Sequence, residues 1–114
     1  MTTSNIVIPS PILKVLDLHN ITTFVSALDL SANTELTTLD TRNTGAGRIT
    51  VAPYAPLTNV HLNACSGISL KHINTITTAE NFTIESGNNL SYIVVEDCNY
   101  IIMSEVIERL EEAL

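Results

Sequence analysis

The cysteines Cys65 and Cys98, the histidines His19, His61 and His72, and the aspartates Asp17, Asp29 and Asp40 are the side chains of this chain best suited to ligate a metal, move a proton or attack a carbonyl. Their spacing supports none of these. Metal ligation asks for pairs one helical or hairpin turn apart, and no two histidines stand so. Covalent or acid–base catalysis needs a nucleophile beside a base, or two carboxylates sharing one cleft. The aspartates instead recur singly, twelve and then eleven residues apart. GAGR at 45–48 lacks the GK[ST] ending and following helix of a phosphate loop and reads as a tight turn. The expectation is a chain without catalytic residues, metal or cofactor.

The elements that would position these residues are short strands. Of 114 residues 45% are apolar but only 15% are charged, with two Phe, three Tyr and no Trp. That is too apolar for disorder and is dominated by Thr, Asn, Ile and Leu, the mixture of β-branched strands and Asn-rich turns. The length fits one domain. A net charge of −7, with Lys14, Arg42, Arg48, Lys71 and Arg109 scattered singly, excludes a nucleic-acid partner, which needs a basic patch. No apolar run reaches the roughly 18 residues of a membrane span. The start MTTSNIVIPSP has neither the basic residues nor the apolar stretch of a signal peptide. A cytoplasmic or virion-associated chain is expected.

The register is carried by a repeat. Units begin at Val25, Leu36, Ala46, Leu57, Ile68, Ala79 and Leu90, at intervals of 11, 10, 11, 11, 11 and 11, with apolar or small residues at positions 1, 4 and 6. Positions 4 and 6 of a strand face one way and position 5 the other. Position 9 is where the chain turns, and Asn suits it because its side chain bonds nearby backbone. Two units make one coil of about 21 to 22 residues that buries its apolar side only by stacking on the next, the logic of a solenoid. Lys71 and Thr41 break the pattern at inward positions.

LDLSANTELTTLDTRN at 28–43 and LTNVHLNAC at 57–65 resemble the leucine-rich repeat family, in its short nested bacterial type of about 21 residues. The resemblance spans about 25–98 and implies a mostly β solenoid of about three to four coils of parallel strands with short helical caps. It implies protein recognition and no catalysis. Cys65 and Cys98 fall at position 9, where the family often replaces Asn by Cys. Their units are three apart, on opposite faces, so structural thiols are expected rather than a disulfide.

Solenoid ends need covering. Residues 1–24 are expected as an N-terminal cap. Either Ser10 starts a short helix through Ile12, Leu13 and Leu16, the preferred reading, or LKVLDLHNI at 13–21 is a further repeat unit. The solenoid would occupy 25–100. Residues 101–114 would form a C-terminal capping helix, N-capped by Ser104, burying Val106, Ile107, Leu110, Ala113 and Leu114 and exposing its glutamates.

Two surfaces remain for binding. One is a polar ladder that includes Thr38, Asp40, Asn59, His61, Asn81 and Thr83; the other is an outward apolar cluster of Leu70, Tyr92 and Val94. Exposed apolar clusters usually mark contacts. The function expected is a non-catalytic protein–protein interaction module. The alternative is a structural subunit of a larger assembly, such as a phage virion or surface appendage, with sister subunits as partners.

Overall fold

Among the described residues, strands of three to five residues alternate with turns as far as Glu96. The computed structural model describes residues 5–63, 67–86 and 90–112. The strands are β1 (Asn5–Val7), β2 (Val15–Asp17), β3 (Ala27–Leu30), β4 (Thr38–Asp40), β5 (Ile49–Val51), β6 (Asn59–Leu62), β7 (Gly67–Lys71), β8 (Phe82–Ile84) and β9 (Tyr92–Glu96). A 3-10 turn (Ala79–Asn81) precedes β8, and helix α1 (Tyr100–Glu112) ends the described chain.

Odd strands form one parallel sheet, in the order β1-β3-β5-β7-β9, and even strands the other, β2-β4-β6-β8. Each pair of successive strands is therefore one coil, and the molecule is a parallel β-solenoid of about four turns closed by one helix. Alternation sets the core. Leu28 and Leu30, Ile49 and Val51, and Ile68 and Leu70 face inward from the first sheet; Leu39, Val60 and Leu62, and Phe82 and Ile84 face them from the second, all 3% exposed or less. Thr41 joins this interior as a satisfied polar residue. Its hydroxyl donates to Asn63 Oδ1 at 3.0 Å and accepts the Asn63 N–H at 3.1 Å, one coil on. At position 9 Asn33 behaves as its turn chemistry requires, donating to the carbonyls of Ile8 (3.0 Å) and Ser10 (2.9 Å) in the preceding coil.

The spacing misplaces β7. Its inward residues Ile68 and Leu70 come eight residues after Val60 and Leu62, and fourteen before Phe82 and Ile84. On the second sheet Val60 and Phe82 keep the 22-residue interval, while on the first the paired Ile49, Ile68 and Ile93 are 19 and then 25 residues apart, because ladder pairing with Ile49 puts Ile68 inside. Lys71 is accordingly no break in the core; it pairs across the ladder with Glu96.

The N-terminal segment forms strands, not the preferred helix. Leu16 pairs with Leu39 and Ile6 with Leu28, so the repeat continues into residues 5–18. Sheet edges offered by β3 and β4 outweigh a short local helix.

At the other end α1 starts at Tyr100, a turn before Ser104, and Asn99 Oδ1 accepts the Ile102 N–H at 3.4 Å. Of the expected face Val106 is buried, but beside it lie Ile102 and Arg109, and Ile107 is 47% and Leu110 39% exposed. Ala113 and Leu114 lie outside the described residues. α1 packs on β8, where a tenth strand would have paired. No helix among the described residues is long and apolar enough to cross a membrane.

Candidate functional site

The outer face of β2-β4-β6-β8 carries the ladder. In register, Val15, Thr38 and Asn59 form one row, and Asp17, Asp40, His61 and Thr83 the next. Asn81 sits just before β8 in the 3-10 turn. All six ladder residues named from the sequence thus lie on one sheet or at its rim. They are also linked: His61 Nδ1 lies 2.6 Å from the Thr83 hydroxyl.

Aspartates at position 5 build the turns that follow their strands. Asp17, Asp29 and Asp40 each accept the N–H of the residue two further on, all at 3.1 Å. A side chain from that same residue adds to each: the His19 ring at 2.5 Å, the Ser31 hydroxyl at 2.5 Å, and the Arg42 guanidinium in a bidentate pair with Asp40. The His19 ring bond, the Ser31 hydroxyl and the Arg42 guanidinium hold the respective carboxyls below their ordinary range. Ligand atoms of Asp17, His19 and Asp40 come within 4.8 Å of one another, a proximity that the linear spacing hid. Asp40 is already paired there with the Arg42 guanidinium, 2.6 Å from its Oδ2.

The second surface is not as expected. Leu70 is 1% exposed and belongs to the core, because β7 is shifted in register. Tyr92 and Val94 do alternate outward from Ile93, with Tyr92 40% exposed and Val94 half-buried. Sequence reasoning missed what holds Tyr92. Arg48 lies over its ring, 3.6 Å from the centroid, a cation–π contact reaching across β7. Gly67 between them makes this possible: a Cβ there would stand 3.0 Å from the Tyr92 carbonyl oxygen and 3.4 Å from Arg48 Cγ. Alignment of Arg48, Gly67 and Tyr92 one residue before the inward Ile49, Ile68 and Ile93 was the available signal, and the misplaced β7 concealed it. Beside Arg48, a shallow open groove of about 460 Å³ is lined by Asn5, Ala27, Asp29 and Thr50.

Along one corner between the sheets, Tyr54 and His72 stack with ring centroids 4.4 Å apart, and His72 Nδ1 meets Asp97 Oδ2 at 2.9 Å. All three have φ near +60°. His61 and His72 thus lie on different surfaces. Cys98 is a free, half-buried thiol raised in pKa by burial; Cys65 lies outside the described residues. Compared with family models, curated proteins and solved structures, the chain shows no significant match to any of them.

Proposed function

We propose that this chain is a non-catalytic protein-binding module of leucine-rich-repeat type, and that its recognition face is the outer surface of β2-β4-β6-β8. The observation that carries this reading is the in-register row Asp40–His61–Thr83, flanked by Thr38 and Asn59; Thr38, Asn59, His61 and Thr83 are half-exposed, while Asp40 is buried against Arg42 and braces the row. Turn hydrogen bonds fix Asp40, and the His61–Thr83 contact fixes its neighbours, so the face is held rigid before any partner arrives. With a net charge of −7, a neutral or basic protein surface suits it better than a polyanion.

The test is a photo-crosslinking residue placed at Thr38 or Asn59, with the half-exposed Thr50 on the opposite sheet as control, in extract of the native host. A defined adduct formed from the ladder positions and not from Thr50, and lost on His61→Arg, supports the reading. Equal labelling from both sheets overturns it.

A further inference from the structure

The two ends of the solenoid are built differently. At the C-terminal end α1 replaces the next strand of the second sheet, where Glu105 and Arg109 bond the backbone of Ile84, and the edge strand β9 of the first sheet ends in Glu96 and is followed by Asp97. At the N-terminal end β1 and β2 are the outermost strands of their sheets, and no described strand pairs with their outer edges. Inward Ile6, Ile8, Leu16 and Leu18 occupy positions that from β3 to β8 are 3% exposed or less, yet they remain partly open, and Ile6 is 36% exposed. Val7 and Val15, 53% and 55% exposed, stand on the rims of the same end.

We infer that this end face is the contact between two copies of the chain, joined head to head about a two-fold axis. Free strand edges over an open apolar core are templates for pairing, and proteins normally blunt them with charge. Here residues 1–25 contain a single Lys and a single Asp, Lys14 and Asp17. Seven of the twelve acidic residues instead lie at 85–112, toward the capped end. Head-to-head contact keeps those two acidic ends farthest apart, several times the screening length of about 8 Å in physiological salt. Stacking the end of one copy on the capped end of another would bring them onto the partner. A two-fold axis across the face sets each copy's edge strand antiparallel to its mate, and because both copies use the same face the contact closes at two chains. Extents of 30 × 30 × 22 Å cap the face at about 900 Å², so a contact over it stays within about one partner's share of a standard interface, about 800 Å². This contact is separate from the ladder's partner, and either can fail without the other.

The experiment is light scattering or sedimentation of the full chain at micromolar concentration, with circular dichroism on each variant. Expected are a mass of two chains for the wild type, one chain for Val7→Lys and for Val15→Lys with unchanged spectra, and two for the control Ile107→Lys on α1. Both valines are exposed in the single chain, so lysine there leaves the fold intact. A monomeric wild type, an open-ended series of masses, or a dimer that survives both lysines and is lost with Ile107→Lys would each overturn the inference.

Discussion

The carboxylate of Glu105 accepts the backbone N–H of Ile84 at 2.7 Å. One helical turn later Arg109 donates to the Ile84 carbonyl at 3.3 Å, so two side chains of α1 do for the edge of β8 what a neighbouring strand would do. Glu105→Ala leaves a partly buried amide without its acceptor, which typically costs about 1–3 kcal/mol. Urea denaturation should show that loss for Glu105→Ala and almost none for Glu111→Ala, whose side chain is exposed. Equal midpoints for the two variants would mean that α1 does not hold the edge.

Gly67 is the gap through which Arg48 reaches Tyr92. Gly67→Val should displace the Tyr92 backbone or the Arg48 side chain and cost about 1–3 kcal/mol, the usual range for overpacking. Tyr92→Ala removes the stacked pair and should cost about 0.5–1 kcal/mol beyond the area lost. In the Gly67→Val background the Tyr92→Ala change should cost less than in the wild type; additive effects would show that the glycine does not serve the stack.

Leu70 and Thr38 test the register. Leu70→Ala opens a cavity in a fully buried site and should cost about 2–5 kcal/mol, as Leu39→Ala should two coils earlier on the facing sheet. Thr38→Ala, on the outer face, should stay within about 0.5 kcal/mol. A Leu70→Ala variant as stable as Thr38→Ala would return Leu70 to the surface.

Acid should act through the three turn aspartates. Their folded carboxyls are held below the ordinary value of 3.8, so the charged forms favour the folded state. The stabilisation is complete at neutral pH, declines as pH falls below about 3.8, and is gone below the depressed values. Melting temperature should therefore drop as pH is lowered from about 3.8 through those depressed values, and Asp29→Asn or Asp40→Asn should lower neutral stability and flatten that drop. Unchanged steepness in both variants would place the proton uptake elsewhere.

Position 4 and 6 residues such as Leu28, Leu39, Ile49 and Phe82 were legible as inward because a strand has only two sides, and eleven-residue recurrence fixes which side faces the stack. The alternation that placed Thr38, Asn59, His61 and Thr83 outward was legible for the same reason, but the burial of Asp40 beneath its bidentate Arg42 was not, because it depends on where the following turn carries Arg42. The stretch between β6 and β8 was not, since moving Ile68 and Leu70 to or from the core changes no local preference and depends on pairing with Ile49.

From the sequence by itself came the solenoid, its strand alternation and the C-terminal helix, because each rests on periodicity within a few dozen residues. Only the tertiary structure decided what residues 5–18 become, since strand and short helix cost similar amounts until β3 and β4 offer their edges. The partners of charge were decided there too. Arg48 meets Tyr92, and Glu105 and Arg109 meet Ile84, across 44, 21 and 25 residues of chain. Contacts that distant leave no periodic trace, because they depend on which coils the stacking brings side by side.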